Sequence, residues 1–243
     1  MILADWLCAN PPGCLAVDEA LVDFAEELNH PGFLRFWESP TPFVVLGYGK
    51  KAEQEVRMDV ADNLEIPILR RCTGGGTVLQ GPGCLNYALI LPVHLNSALE
   101  TITGTNHFIM DRQLQAIKRI VPDSMTIAVQ GHTDLTCHGL KFSGNAQRRK
   151  RTHLLFHGSF LIDYDLGLIE QVLKMPAQQP EYRQQRSHQE FIQNLPVTRQ
   201  ALKESLSHIW GAQEGSIPFQ DIETAAAKLC AEKYDRPEWN LKF

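Results

Sequence analysis

The sequence has no paired-cysteine motif, no long apolar run and no early positive charge. Its six cysteines include no C-x-x-C pair, which excludes a zinc ribbon or a thioredoxin-type motif and indicates reduced thiols in a cytoplasmic protein. The longest apolar run, residues 87–93, is far shorter than the ~20 residues of a transmembrane helix. No lysine or arginine precedes Arg35, so we expect no signal peptide.

A mild excess of acidic residues, 28 against 23 basic ones, gives a net charge of −5 and argues against a nucleic-acid-binding protein. With 44% hydrophobic and 21% charged residues, the composition is typical of a globular protein. No repeat or linker divides the chain, so we expect one domain over residues 1–243. The histidines and cysteines between residues 132 and 157 lack metal-ligand spacing, and no metal site is expected there.

Apolar periodicity predicts an α+β fold, with strands concentrated in the middle of the chain and helices at both ends. Helices are predicted at residues 15–28, 107–121, 166–173, 199–210 and 219–234. Strands are predicted at residues 33–37, 43–46, 66–69, 77–79, 85–91, 125–129, 135–137, 140–143 and 153–162. His138 and Gly139 are predicted to form a tight turn between two of these strands.

Gly74, Gly75 and Gly76 form an unusual run between two predicted strands. Consecutive glycines lose much conformational entropy on folding, so a compensating function is expected, such as close approach of backbone N–H groups to an anion. Arg71, just before the run, is a candidate bidentate partner for a carboxylate or a phosphate. A flexible hairpin loop with solvated arginines is the alternative.

Five basic residues and no acidic one occupy residues 141–151 of this acidic chain. Strand alternation puts Lys141 and Ser143 on one face and Phe142 on the other, towards the core. Lys141 is therefore a candidate for a fixed cation in a pocket, where it would stabilise developing negative charge. Residues 148–151 are interpreted as an exposed basic turn that steers an acidic carrier domain to the protein.

Two further polar residues lie near Lys141 in the predicted sheet. Asp134 is suited to orient a lysine amine or to help hold a cation, and the capping of a turn is its structural alternative. His157 follows on the next predicted strand, where a histidine more often has a structural role than a catalytic one.

Taken in order, these segments resemble the superfamily of lipoate–protein ligases and octanoyltransferases, whose fold is shared with biotin ligases. The similarity covers nearly the whole chain and is strongest in residues 70–78 (RRCTGGGTV), 134–135 (DL), 141–147 (KFSGNAQ) and 157–159 (HGS). The resemblance implies an α+β catalytic domain of the biotin/lipoate ligase type, with a central mixed β-sheet, packed helices and no C-terminal accessory domain.

For function, the resemblance implies an ATP-dependent lipoate–protein ligase. Such an enzyme activates lipoate as lipoyl-adenylate, releases pyrophosphate and transfers the lipoyl group to a lysine of a carrier domain. ATP and Mg²⁺ are implied, with lipoic acid as the substrate. The implied partners are lipoyl carrier domains, either those of the acyltransferase subunits of 2-oxoacid dehydrogenases or those of the glycine cleavage H protein type. Whether a separate accessory subunit is needed is left open. No nucleic-acid or membrane partner is expected.

The resemblance also implies roles for single residues. Lys141 is the implied catalytic residue, bridging the lipoyl carboxylate and the α-phosphate, while Arg71 contacts the nucleotide phosphates. Gly76 to Leu79 would line the nucleotide and acyl tunnel. The full implied set of substrate-binding and nucleotide-binding residues is Arg71, Gly74, Gly75, Gly76, Thr77, Val78, Leu79, Asp134, Lys141, Ser143, Gly144, Asn145, Ala146 and His157.

Transferases of the same superfamily hold the acyl group on a cysteine as a thioester. Depending on the branch, that cysteine lies just before the Asp-Leu pair or after the lysine. Residues 130–133 contain no cysteine, and none lies between Cys137 and Cys230, so the ligase activity is favoured. The alternatives are an acyltransferase that uses a pre-activated donor without ATP, and a non-catalytic acyl-binding relative. Gln80 stands where many members have a histidine.

Overall fold

The structure is a computed structural model that describes residues 1–5 and 9–243. Its strands are β1 (Ile2–Asp5), β2 (Phe33–Trp37), β3 (Phe43–Leu46), β4 (Ile68–Arg70), β5 (Val78–Gln80), β6 (Cys84–Pro92), β7 (Ile127–Gln130), β8 (Asp134–Cys137), β9 (Leu140–Arg149) and β10 (His153–Leu161). Its helices are α1 (Pro11–Leu28), α2 (Ala52–Glu55), α3 (Met58–Asn63), α4 (Ile102–Lys118), α5 (Leu166–Val172), α6 (His188–Phe191), α7 (Arg199–Trp210), α8 (Phe219–Leu229) and α9 (Pro237–Asn240).

The larger of two sheets has the strand order β1-β2-β6-β10-β9-β8-β7. β1 and β2 are parallel and the other neighbouring pairs are antiparallel, which makes this sheet mixed. The smaller sheet has the order β4-β3-β5, and the glycine run connects β4 with β5. The predicted α+β class with a central mixed sheet and packed helices is confirmed, while the expectation of one domain stays a prediction.

Helix α1 begins at Pro11, before the predicted start at residue 15. Asn10 caps it by accepting a hydrogen bond from the Gly13 N–H at 2.9 Å, and proline suits the first turn because its missing N–H has no helical acceptor there. The apolar side of α1 packs against Ile90 and Leu155 of the larger sheet. Helices α4 and α7 cover the opposite face of that sheet, so its strands are buried on both sides.

Strand β9 departs from the expected alternation of side chains. Thr136 of β8 pairs with Lys141, but Leu135 pairs with Ser143, which leaves Phe142 as an extra residue opposite β8. A β-bulge of this kind turns two consecutive residues towards the same side. Phe142 and Ser143 are accordingly both buried. The prediction that Lys141 and Ser143 share a face is therefore wrong, because alternation is interrupted between them.

Most other predicted elements agree with the structure to within a few residues. β9 continues beyond the predicted end at residue 143, because its polar half pairs with β10 as far as Arg149. The helix predicted at 107–121 begins at Ile102, where the Thr101 hydroxyl accepts a hydrogen bond from Gly104 N–H. His138 and Gly139, with φ of 50° and 79°, confirm the tight turn. Among the described residues, no helix is long and apolar enough to cross a membrane.

Candidate active site

The glycine loop, residues 73–76, follows β4 and has an unusual backbone. Gly75 has a φ of 90°, a backbone conformation that residues other than glycine rarely adopt. Gly47 lies directly against it, since a Cβ on Gly47 would come within 2.1 Å of the Gly75 carbonyl oxygen. The N–H groups of Gly74, Gly75 and Gly76 have no acceptor within residues 1–5 and 9–243, and these glycines are exposed. Exposed N–H groups in such a turn attract anions.

Arg71 supports the glycine loop from inside. Its Nε and Nη2 donate to the Gly74 carbonyl oxygen at 3.1 and 2.6 Å, and Nη2 also donates to Gly76 O at 2.8 Å. Burial lowers the pKa of Arg71 to about 10, so the guanidinium remains charged at neutral pH. Its positive charge therefore lies beneath the exposed N–H groups. The implied direct contact with nucleotide phosphates stays a prediction.

Lys141 is fixed in position by an ion pair. Its ammonium lies 2.8 Å from Asp134 Oδ1, and the Tyr182 hydroxyl donates to Asp134 Oδ2 at 2.6 Å. Gly144 leaves room for the ammonium, since a Cβ at that position would lie 2.8 Å from Lys141 Nζ. The backbone is held as well, because the Gln193 N–H donates to Lys141 O at 2.9 Å. The side chain of Lys141 is 27% exposed and thus accessible to a substrate.

His157 on β10 lies on the same side of the sheet as Lys141. Ala146 is its partner on β9, and a Cβ on Gly75 would lie 3.7 Å from the Ala146 Cβ, so the glycine loop covers this position. Gly144 and Ala146 are two residues apart on one strand and therefore share a face. The Lys141 ammonium, the glycine loop and His157 thus border one surface, which we call the loop face.

The His157 ring is hydrogen-bonded through both nitrogens. Its Nε2 lies 2.7 Å from Thr73 Oγ1, and its Nδ1 lies 3.0 Å from Asp18 Oδ2 on helix α1. The buried Arg35 on β2 forms an ion pair with the same carboxylate. Burial alone would raise the pKa of Asp18, but the Arg35 charge and the His157 hydrogen bond hold it below the usual value, so Asp18 is ionised.

Several implied site residues point away from the loop face. Ser143 is buried behind the bulge, and Leu79 belongs to a separate core cluster beside β3. Asn145 faces helix α4, where its Oδ1 accepts from the Tyr87 hydroxyl and its Nδ2 donates to Thr133 O, both at 2.5 Å. Thr77 and Val78 are half-buried between the loop and the core. The implied substrate contacts of these residues stay predictions.

Most of the basic run, residues 148–150, does not form an exposed turn. Arg148 pairs with Glu19 at 2.8 Å and Lys150 pairs with Asp23 at 2.6 Å, both on helix α1. Arg149 is half-buried and donates to the Leu99 carbonyl oxygen at 2.5 Å. The prediction of an exposed turn is therefore wrong for residues 148–150, whereas the side chain of Arg151 is 87% exposed and lies 3.8 Å from Glu26. The steering of an acidic carrier domain stays a prediction.

The described cysteines are free, and all except the half-buried Cys230 are buried. Burial raises the pKa of Cys72 to about 11 and that of Cys84 to about 12, so both thiols are protonated at neutral pH. Cys137 lies in the core beneath α4. Nucleophilic cysteines require a lowered pKa and access to the substrate. The pKa values of Cys72 and Cys84 are raised instead, and all three residues are buried.

Sequence reasoning missed the residues that hold the site in place. The sequence does indicate a special role for Asp18, because it lies at helical spacing from Cys14 and Val22, on the buried side of α1. A charged side chain that is buried there requires a partner. Tyr182 lies in the glutamine-rich patch at residues 178–189 and has no local signal. Thr73 belongs to the RRCTGGGTV motif, but nothing in the sequence joins it to His157.

Comparison with known proteins shows the family of the chain. The family model described as the lipoyl protein ligase A/B catalytic domain matches residues 10–208. Octanoyltransferase LipM of Halalkalibacterium halodurans is 24% identical over 266 residues, covering 96% of this chain and 95% of that protein. Lipoate-protein ligase A subunit 1 of Thermoplasma acidophilum is 27% identical over 245 residues, covering 93% and 90%, respectively.

A solved structure shows the same fold. It is a bi-partite lipoate protein ligase from Thermoplasma acidophilum, studied with its E2 lipoyl domain. It superimposes with a TM-score of 0.83 at 23% identity, over 99% of this chain and 95% of that one. Further relatives of similar identity, from Geobacillus kaustophilus and Bacillus cereus, are also named octanoyltransferase LipM. Because the family model spans most of the chain, including the glycine loop, Lys141 and His157, this protein belongs to the lipoyl protein ligase A/B catalytic domain family.

Proposed function

We propose that this protein transfers a medium-chain acyl group, lipoyl or octanoyl, from an activated donor to a lysine of a lipoyl carrier domain. The observation that supports this most directly is the Lys141 ammonium, held 2.8 Å from Asp134 on the loop face, which the glycine loop with its exposed N–H groups also borders. A fixed cation and a set of N–H donors suit an acyl carboxylate or a phosphate on which negative charge develops.

In the transfer step, the amine of the carrier lysine attacks the acyl carbonyl carbon. A C–N bond forms, the bond to the leaving group breaks, and negative charge moves through the carbonyl oxygen to the leaving group. The amine nitrogen loses one proton, which passes to the leaving group or to solvent. Lys141 stabilises that charge, while Asp134 and Tyr182 keep the ammonium in position. The glycine loop holds the anionic part of the donor in a fixed orientation, which lowers the entropic cost of reaching the transition state.

We further propose that the donor is an acyl-adenylate that the protein forms from lipoate and ATP. This is supported by the thiols, because Cys72 and Cys84 have raised pKa values and Cys137 lies in the core, whereas a thioester route requires a reactive thiol. Among the described residues, no three His, Cys, Asp or Glu side chains form a metal site. Mg²⁺ would therefore be held mainly through the phosphates of ATP, as it often is in proteins.

Octanoyl transfer from a pre-activated donor, without ATP, is the second candidate. It is favoured by the relatives named octanoyltransferase LipM, whose lengths this chain nearly covers. For either donor, the Thermoplasma acidophilum ligase studied with its E2 lipoyl domain supports a lipoyl carrier domain as the partner, of the 2-oxoacid dehydrogenase or glycine cleavage H type. The relative named subunit 1 supports a separate accessory subunit. Free cysteines fit a cytoplasmic location.

The test is acylation of a purified lipoyl carrier domain, followed by intact mass. Three donors are compared: lipoate with ATP and Mg²⁺, preformed lipoyl-adenylate, and an octanoyl thioester of a donor carrier without ATP. We expect acylation from the first two donors. Acylation from the thioester alone would establish the second candidate, and no acylation from any donor would contradict the proposed function.

Lys141→Ala tests the residue that supports the proposal. Removing such a charge stabiliser is expected to cost about 3–4 kcal/mol in the transition state, and thus a rate loss of at least about 10²-fold. Lys203 provides a matched control, since it pairs with Asp5 at the same 2.8 Å and its side chain is 26% exposed. Lys203→Ala should transfer at the wild-type rate, and a similar rate in Lys141→Ala would contradict the assignment.

A further inference from the structure

A chain of buried hydrogen bonds connects the glycine loop with helix α1. It runs from Thr73 Oγ1 to His157 Nε2 (2.7 Å), from His157 Nδ1 to Asp18 Oδ2 (3.0 Å), and from Asp18 to Arg35. Thr73, Asp18 and Arg35 are each no more than 1% exposed, and the His157 ring is 12% exposed. The four side chains come from four separate elements, so the chain joins parts of the fold that are distant in sequence.

The charge of Asp18 fixes the direction of one of these hydrogen bonds. Asp18 is ionised and can only accept, so His157 Nδ1 must carry a proton and donate it. The Thr73 hydroxyl can both donate and accept, so it bonds to Nε2 whether or not that nitrogen carries a proton. Both ring nitrogens of His157 are thus committed to protein groups.

We propose that Asp18, Arg35 and His157 are positioning residues that hold Thr73, and through it the glycine loop, in the shape that binds the anionic part of the acyl donor; this rests on the function proposed above. A run of three glycines loses more conformational entropy on ordering than other sequences do, so its binding shape needs external support. Arg71 supports the loop from inside, and the Thr73–His157–Asp18 chain anchors its first residue to the sheet and to α1.

The same helix and strand offer a matched control. At the start of β10, the Thr152 hydroxyl lies 3.0 Å from His153 Nδ1 and donates to Glu26 Oε2 of α1 at 2.7 Å. This cluster also combines a threonine, a histidine and a carboxylate of α1, but it lies at the N-terminal end of β10, four residues before His157. Thr152→Val therefore removes an equivalent interaction without touching the loop.

The experiment compares Thr73→Val, Thr73→Ser and Thr152→Val. One readout is amide hydrogen exchange of Tyr48, whose N–H donates to the Thr73 carbonyl oxygen at 2.8 Å and so reports the anchoring of the loop without any substrate. The other is the KM for lipoyl-adenylate. We expect Thr73→Val to increase Tyr48 exchange and KM at least tenfold, with kcat changed less than threefold. Thr73→Ser and Thr152→Val should resemble the wild type.

A third readout tests the bond between His157 and Asp18. Nitrogen-15 NMR of the wild type should show a proton on His157 Nδ1, and Asp18→Asn, which weakens the hold on His157, should raise KM in the same direction as Thr73→Val. The proposal is overturned if His157 Nδ1 carries no proton in the wild type, or if Thr73→Val behaves like Thr152→Val in exchange or in KM. If Asp18→Asn does not fold, the Thr73 variants decide. If the wild type transfers no acyl group, the proposed function fails, while exchange and NMR still decide the anchoring.

Discussion

Gly144 offers a way to displace the Lys141 ammonium without removing it. In Gly144→Ala, the new Cβ would lie 2.8 Å from Nζ and 2.9 Å from Cε of Lys141, where ordinary contacts begin at 3.4 Å. The ammonium must therefore move by about 0.6 Å or more, away from its position at Asp134. Misplacement of a catalytic group by about 1 Å costs up to ~10²-fold in rate. We expect the rate of acyl transfer to fall between about tenfold and a hundredfold.

Stability should change little in this variant, because the displaced atoms are the end of a flexible side chain. We expect a loss below about 1 kcal/mol in the free energy of unfolding. The assay is single-turnover acylation of a lipoyl carrier domain, with chemical denaturation measured in parallel. Gly49→Ala is the control, since a Cβ at Gly49 meets nothing within 4 Å. A rate in Gly144→Ala above half of the wild-type value would refute the argument that the position of Lys141 limits transfer.

Three further predictions concern the surroundings of the site. Tyr182→Phe removes one of the two groups that hold Asp134, and transfer should slow about three- to tenfold with little change in melting temperature. Cys72→Ser and Cys137→Ser should each retain substantial ATP-dependent transfer, and a hydroxylamine-sensitive acyl adduct found on either cysteine by mass spectrometry would contradict this. Burial would raise the pKa of Glu26, but hydrogen bonds from Thr152 and His153 hold that pKa at about 2. The ionised Glu26 therefore stabilises the fold fully above pH 4.5, the ordinary pKa of a glutamate, and this stabilisation is lost as pH falls towards 2. Melting curves should show this acid-dependent loss in the wild type and a weaker one in Glu26→Gln.

Local patterns are sufficient to predict most strands and helices and the position of the glycine run between two strands, because each depends on residues close together in the chain. The role of Lys141 stays a prediction. Ser143 was misplaced because a bulge is set by pairing with β8, which side-chain alternation along one strand does not reveal. The environment of Arg148 was misjudged for a similar reason, since its partner Glu19 lies 129 residues away in sequence. The contact between Tyr182 and Asp134 likewise depends on how a segment without periodicity folds back over β8.

The ion pairs that join α1 to the end of β9 and to the residue after it also relate positions along the helix to positions along the strand. Four helical residues rise about 6 Å and two strand residues about 6.6 Å, so Glu19 and Asp23 stay in step with Arg148 and Lys150. The next pair, Arg151 with Glu26, has opened to 3.8 Å beyond the end of the strand. This match of the two repeat distances fixes the axial position of α1 on the sheet. Sliding the helix by one turn, about 5.4 Å, would separate these ion pairs and carry Asp18 out of reach of β10.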